Sequence, residues 1–174
     1  MNLEKYQQYS RIARGLEKAD LVLKDARIVN VFTEEIIRGD IAIQDGIIAG
    51  IGSFHGKEER DLAGRYVCPG FIDSHLHLES TLVTPAELVT AASRHGTTTF
   101  IVDPHESANV SGLAGIDYIL DQTEDVKANV YVMMPSCVPA TAIDDNGCTL
   151  TAGDMAPYLH NSRILGLGEV MDSI

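Results

Sequence analysis

The chain is 174 residues long and 45% hydrophobic, a composition that fits a globular protein with a buried core and excludes a disordered or fibrous one. Its 25 acidic residues outnumber its 13 basic residues and give a formal net charge of −12 at pH 7. Such a charge repels phosphate backbones and anionic lipids, so we expect neither a nucleic acid nor a membrane surface as a partner.

The sequence predicts a cytoplasmic protein. The first twenty residues lack the continuous apolar core of a secretory signal, and no later stretch approaches the ~20 apolar residues of a membrane-spanning helix. The three cysteines, Cys68, Cys137 and Cys148, are widely spaced and form no CxxC motif. This cysteine pattern is typical of free thiols in a reducing compartment.

Residues 1–66 are predicted to form a short helix followed by a small sheet. Apolar residues at near-helical spacing predict a helix in the opening segment that ends by Ala19. Between Asp20 and Val67, short β-type runs alternate with polar turns, and we interpret them as an antiparallel sheet of about four or five strands. The dipeptide Asp45-Gly46 predicts a tight hairpin within this sheet, because such a turn needs residues that tolerate positive φ.

Residues 67–174 predict a second domain of alternating strands and helices, which is typical of a parallel α/β sheet or barrel. The predicted strands cover residues 67–73, 97–102, 129–134 and 164–169, and the predicted helices cover residues 85–95, 112–125 and 153–160. A long polar loop joins the third strand to the last helix. The pattern therefore gives about four β/α units, or half of an eight-stranded barrel.

The first helix of this second domain has clear signals at both ends. Thr84 is predicted as the N-cap, Pro85 as the first helical residue, and Glu87 as the partner of Thr84 in a capping box. Gly96 follows the last helical residue, where a glycine commonly ends a helix.

A paired histidine motif follows the first strand of the second domain, in the run PGFIDSHLH. Residues two apart in an extended chain point the same way, so His75 and His77 can direct both imidazoles to one point. That geometry suits a metal ion at the carboxyl end of a barrel strand, where such folds carry their chemistry. The alternative is that both histidines are solvated loop residues.

Other polar residues follow the later strands at the same topological level. They are Asp103-Pro104-His105-Glu106 after the second strand, Pro135-Ser136 after the third, and Gly168-Glu169 at the fourth. A carboxylate beside apolar residues is costly unless a cation compensates it, so we predict Glu169 as a metal ligand, with a structural salt bridge as the alternative. His105 is either part of the same site or a residue that orders a loop or caps a helix.

These residues resemble the amidohydrolase superfamily, whose members join a small β-sandwich to a metal-bearing β/α barrel. The longer run HLHLES at residues 75–80, together with DPHE at 103–106 and GLGEVM at 166–171, is similar to the bacterial adenine deaminases within that superfamily. This resemblance covers nearly the whole chain. It implies that the strands of residues 1–66 belong to an incomplete β-sandwich and that residues 67–174 form the first half of a TIM-like barrel.

The resemblance also implies roles for individual residues. His75 and His77 match the histidines that hold the first metal, and Glu169 matches the carboxylate that bridges two metals and serves in catalysis. His105 and Glu106 match a motif beside the site and are our further catalytic candidates. A separate pair of residues belongs to the same pattern and is expected to face the substrate: Glu79 and Ser80.

The implied reaction is the hydrolytic deamination of adenine to hypoxanthine and ammonia, a step of purine salvage and adenine catabolism. A binuclear site would acidify a water molecule for attack on C6, and a carboxylate would pass the proton to the departing amine. The resemblance favours manganese or iron, with zinc also compatible. Adenine is the expected partner, and a homodimer is one of the assemblies open to the full-length protein. The small zinc deaminases are excluded because the chain has no CxxC motif.

The family pattern needs two further histidine ligands and an aspartate beyond strand four. We therefore expect the chain to be the first part of a longer protein and to be inactive alone. Two alternatives stay open: an amidohydrolase that acts on a cyclic amide or an N-acetyl sugar, and a non-catalytic half-barrel remnant.

Overall fold

A computed structural model describes residues 2–172 of the chain. The chain divides into two compact units, Met1–Pro69 and Gly70–Ile174. None of the helices in residues 2–172 combines the length and the apolar character needed to cross a membrane.

The described residues of the first unit form one helix and five strands. The helix is α1 (Leu3–Ala13), and the strands are β1 (Ala19–Asn30), β2 (Glu35–Gln44), β3 (Ile47–Gly52), β4 (Gly56–Asp61) and β5 (Tyr66–Val67). The predicted helix is confirmed, and Asn2 caps it by accepting a hydrogen bond from the backbone N–H of Lys5. The predicted hairpin is also confirmed, since Asp45 and Gly46 connect β2 to β3 with φ values of 50° and 75°.

The sheet of the first unit is mixed, so the prediction of an antiparallel sheet is wrong in part. Strands β1, β2 and β3 pair antiparallel, but β4 and β5 both pair parallel to β1. The order β3-β2-β1-β4 explains the difference, because the chain leaves β3 and crosses to the far side of β1 before it pairs again. Strands joined by tight hairpins pair antiparallel, whereas a crossover allows the next strand to pair parallel.

The core of the first unit lies between α1 and this sheet. Ile12 of α1 is fully buried and clusters with Val22, Ala42 and Phe54 from the sheet region. Each large apolar side chain buried in this way stabilises the fold by about 1.5–3 kcal/mol. The described residues of this unit form a single sheet, so a sandwich with a second sheet stays a prediction.

The second unit is built on four parallel strands in the order β6-β7-β8-β9. The strands are β6 (Phe71–Leu76), β7 (Thr97–Val102), β8 (Asn129–Met134) and β9 (Ile164–Leu167), and the helices are α2 (Pro85–Ser93), α3 (His105–Ser111), α4 (Leu113–Gln122) and α5 (Ala152–Met155). Two short 3-10 helices, Glu79–Thr81 and Ala156–His160, complete the unit. The predicted bounds of β7 and β8 are confirmed.

The fourth strand ends at Leu167 and not at residue 169, and the helix predicted at 153–160 is a short α-helix followed by a 3-10 helix. Apart from such shifts at element ends, three details of the second unit differ from prediction. The strand predicted at 67–73 lies at Phe71–Leu76, because Val67 pairs with β1 in the first unit and Pro69, which lacks an N–H donor, separates the two strands. Thr84 does occupy the N-cap of α2, but its side chain caps no backbone N–H, so the capping box with Glu87 is wrong. Gly96 does follow α2, with φ at 101°.

The third difference is an additional helix. The predicted helix at 112–125 starts at Leu113, and α3 precedes it where a loop was expected. Gly112 separates the two helices with φ at 61°, and a Cβ there would lie 2.6 Å from Cys148 Sγ. Positive φ and close contact together require glycine at this break.

The main core packs these helices against the parallel strands. Its largest fully buried members include Phe100, Val102 and Val132 from the strands and Ile116 and Ile119 from α4. A core of this kind holds the strands rigidly, so the residues that follow each strand are held in place as well.

Candidate metal centre

The candidate site lies at the carboxyl ends of the parallel strands. His75 is in β6 and His77 follows it, Asp103 follows β7, and Glu169 lies two residues beyond β9. Because parallel strands all end at the same edge of a sheet, their terminal side chains gather there. The structure thus brings together residues that are up to 94 positions apart in the sequence, from 75 to 169.

The three predicted metal ligands form one cluster. The nearest ligand atoms of His75, His77 and Glu169 all lie within 4.8 Å of one another. His75 Nε2 is 3.1 Å from His77 Nε2 and 3.4 Å from Glu169 Oε2. Two imidazole nitrogens and a carboxylate oxygen are ligands that divalent manganese, iron or zinc accepts.

The orientation of His77 fits a metal ligand. Its Nδ1 lies 2.8 Å from the backbone carbonyl oxygen of Asp103. A carbonyl only accepts hydrogen bonds, so Nδ1 carries the proton, and in the neutral ring Nε2 keeps its lone pair. This Nε2 faces the cluster, and a backbone carbonyl behind the ring is the arrangement that commonly orients histidine ligands.

Two side chains that are less exposed than the ligands lie beside the cluster. The side chain of Asp103 is 2% exposed and that of His105 is 14% exposed, whereas His75 and Glu169 are 52% and 41% exposed. His105 Nδ1 lies 3.4 Å from Asp103 Oδ1 and 3.5 Å from Glu169 Oε1. Neither Asp103 Oδ1 nor His105 Nδ1 has a hydrogen-bond partner within the described part of the chain. Buried polar atoms without partners beside convergent ligands fit a site that takes a cation.

The predicted substrate-facing residues lie beside α3. The side chain of Ser80 donates a short hydrogen bond to Glu106 Oε2. Glu79 Oε1 accepts a hydrogen bond of 3.1 Å from the backbone N–H of Ser107, in the first turn of α3. Glu79 therefore caps this helix from outside it, while its Oε2 is buried without a donor among residues 2–172.

The remaining predicted strand-end residue is Ser136, after β8. Its hydroxyl donates a hydrogen bond of 2.5 Å to the backbone carbonyl oxygen of Glu169. A cavity of about 440 Å³ opens beside it, lined in part by His105, Glu106, Asn109 and Cys137. This volume exceeds what a small heterocycle needs, and the polar side chains in its lining could orient such a ligand.

The sequence did not assign a role to Asp103 or to the N–H of Ser107. Asp103 stood within the quoted DPHE run, and a carboxylate directly after an apolar strand was the available signal. Its hydrogen-bond partners lie in or just after other strands, so the sequence alone did not identify them.

The chain matches known proteins over its whole length. Residues 66–165 match the amidohydrolase family. The chain is 57% identical over 174 residues to the adenine deaminase of Desulfitobacterium hafniense, covering 100% of this chain and 31% of that protein. It is 51% identical over 155 residues to the adenine deaminase of Geobacillus kaustophilus, covering 89% of this chain and 27% of that protein. The chain thus spans less than a third of the length of these curated relatives.

Among solved structures, the chain resembles the N-acyl-D-glutamate deacylase of Bordetella bronchiseptica, which was solved with zinc and a phosphonate inhibitor. The TM-score is 0.55 at 22% sequence identity, and the match covers 80% of this chain and 34% of that one. This likeness concerns the fold.

Proposed function

Since the chain belongs to the amidohydrolase family, we propose that it is part of a metal-dependent adenine deaminase, which converts adenine and water to hypoxanthine and ammonia. The observation that carries this proposal is the convergence of His75, His77 and Glu169, whose ligand atoms lie within 4.8 Å of one another. The choice of adenine rests on the relatives, which are named adenine deaminases and are up to 57% identical to this chain over the aligned residues.

His75, His77 and Glu169 are proposed to hold a divalent cation, with manganese or iron preferred and with Glu169 shared between two ions. A cation in this position would acidify a water molecule and so supply hydroxide near neutral pH. The hydrogen bond between His77 Nδ1 and the Asp103 carbonyl supports the proposal, because it keeps the His77 Nε2 lone pair directed into the cluster.

The other residues are proposed to bind adenine and to move protons. His105 and Glu106 line the cavity beside the ligands, and we assign them, with Glu169, the transfer of the water proton to the departing amino group. Glu79 Oε2 has no donor among the described residues, and adenine offers N–H donors to such an oxygen. Ser80 is proposed to orient Glu106 for the same substrate.

We also propose that the four parallel strands form half of a barrel. A flat sheet would hold the backbones of β6 and β9 about 14 Å apart, yet His75 and Glu169 of these outer strands meet at 3.4 Å. This approach favours a sheet that curls as half of a barrel. Apolar side chains on the outer strands are largely exposed and would be covered by the remaining half: Phe71, Ile72, Leu165 and Leu167. The first unit would likewise contribute to a β-sandwich, and a cytoplasmic location completes the proposal.

The test is metal reconstitution of the full-length protein, followed by measurement of ammonia release. Adenine should release ammonia once Mn²⁺ is restored, whereas hydantoin, dihydroorotate and an N-acetylated sugar should give no product. Turnover of one of these other substrates instead of adenine would reject adenine deamination and favour a different amidohydrolase reaction.

A matched pair of histidine variants locates the site. His77→Gln should lose bound metal and at least about a hundredfold in activity, because it removes one ligand of the cluster. His95→Gln changes an exposed histidine of the same unit and should leave both properties intact. Equal metal content in the two variants would reject the assignment of His77.

A further inference from the structure

We propose that Asp103 and Gly168 form a positioning pair that fixes Glu169 in the cluster. The proposal rests on the function proposed above and deepens it, because it adds two residues that act through Glu169 and His77. Neither residue of the pair is assigned a contact with the cation or with the substrate.

Asp103 connects the strand ends that carry the ligands. Its Oδ2 accepts a hydrogen bond of 2.7 Å from the backbone N–H of Glu169. Its backbone N–H donates to the carbonyl oxygen of Leu76 at 2.9 Å, at the end of β6. Its own carbonyl oxygen accepts the hydrogen bond from His77 Nδ1. One residue therefore holds the backbone of Glu169, the end of β6 and the ring of His77.

The burial of Asp103 makes this connection rigid. The residue is 1% exposed, so its carboxylate has little water to exchange with and depends on fixed donors. A charge-assisted hydrogen bond from a backbone N–H is among the stronger bonds available to such a carboxylate. Displacing the carboxylate would therefore release Glu169 and leave a buried charge without its donor.

Gly168 provides the space that this bond needs. A Cβ at position 168 would lie 2.3 Å from Asp103 Oδ2, far inside van der Waals contact, whereas a Cβ at position 166 would lie 3.8 Å from the nearest atom, Met133 Cε. Both glycines belong to the run GLGEVM, but close approach of the carboxylate requires only Gly168. The backbone at Gly168 does not have positive φ, so space and not conformation explains the glycine.

The test is the affinity of the full-length protein for Mn²⁺, measured by competition with a chromophoric chelator in the absence of adenine. Gly168→Ala should weaken the affinity about tenfold or more, as for other residues that orient metal ligands. Gly166→Ala is the matched control and should keep the affinity of the wild-type protein within about twofold, because its methyl group meets only ordinary contact.

A double-mutant cycle separates positioning from general damage to the fold. Asp103→Ala should weaken Mn²⁺ binding, and Gly168→Ala should add little in that background, because the carboxylate that it displaces is already gone. Asp103→Asn keeps an acceptor for the Glu169 N–H and should bind Mn²⁺ more tightly than Asp103→Ala. Thermal melts of the metal-free variants identify any that fail to fold. If Asp103→Ala fails to fold, Asp103→Asn replaces it in the cycle.

Equal affinities of Gly168→Ala and Gly166→Ala would overturn the positioning pair, as would fully additive effects in the cycle. If the wild-type protein binds Mn²⁺ and deaminates adenine in either case, the proposed function stands and only the pair is rejected. If the wild-type protein binds no Mn²⁺, the proposed function fails and the pair fails with it.

Discussion

Glu79 offers a prediction that separates a structural contact from a substrate contact within one side chain. Its Oε1 accepts the backbone N–H of Ser107 at 3.1 Å and so caps the first turn of α3. Its Oε2 is buried without a donor among residues 2–172 and is the oxygen that we assign to adenine. Glu79→Gln keeps an oxygen that can cap α3, whereas Glu79→Ala removes both oxygens.

The expected loss of stability follows from the single hydrogen bond. A hydrogen bond to a charged acceptor contributes about 1.5–3 kcal/mol, and a carboxylate near a helix N-terminus adds about 0.3–1 kcal/mol. Because Glu79 is only partly buried, we take the lower end and expect Glu79→Ala to cost about 1–2 kcal/mol. Glu79→Gln should cost less than about 1 kcal/mol, since its amide oxygen replaces the capping carboxylate oxygen.

Both quantities can be measured on the full-length protein. Denaturant unfolding of the metal-loaded variants gives the free energy of unfolding, and steady-state kinetics with adenine gives KM and kcat. Both variants should raise KM, but only Glu79→Ala should lose more than about 1 kcal/mol of stability. Unfolding of Glu79→Ala at the wild-type midpoint would refute the capping role, and an unchanged KM in both variants would refute the substrate contact.

Three further predictions concern pH and metal removal. Burial raises the pKa of Asp40, but hydrogen bonds from Lys24 and two backbone N–H groups outweigh burial and leave that pKa below its ordinary 3.8. Asp40 therefore stabilises the fold above about pH 3.8 and loses this contribution as the pH falls through the lower folded value, so acid unfolding should be steeper in the wild type than in Asp40→Asn. Burial, together with the hydrogen bond to Asp117, raises the pKa of Tyr158 to about 12. The contribution of neutral Tyr158 to stability is therefore complete below its ordinary pKa of 10.0 and is lost as the pH rises through about 12. Tyrosinate absorbance of the wild type should include a late component that shifts to lower pH in Asp117→Asn, and identical titrations would contradict the assignment. Chelation of divalent metal should lower the melting temperature of the wild type but not of His77→Gln, and equal shifts would show that the metal binds elsewhere.

The elements that the sequence predicted in full are those whose local pattern is sufficient to define them. Strands β7 and β8 are short runs of β-branched and apolar residues between polar segments, and their predicted bounds agree with the structure. Helix α3 was missed because its residues include few strong helix formers. Its first turn depends on the distant carboxylate of Glu79, which local sequence reading does not include.

The sequence also could not predict which strands and side chains pair with each other. Strand β4 consists mostly of charged residues and β5 of only two residues, so neither carried information on pairing direction, and both run parallel to β1. The same limit applies to Asp103, since its partner Glu169 lies 66 positions away. The ligand residues themselves were accessible from sequence because each one lies within two residues of the end of a recognisable strand.

The burial of the site residues indicates which of them orient the metal ligands and which of them bind the metal. The side chains of Asp103 and His105 are nearly enclosed, whereas those of His75 and Glu169 are about half exposed. Asp103 can fix geometry but has little access to a ligand from solution, whereas the half-exposed ligands are open to water and substrate. Substitutions of Asp103 should therefore change metal affinity through the orientation of the ligands. Substitutions of the ligands themselves remove donor atoms outright and should abolish binding, and this difference is what the Asp103 and His77 variants measure.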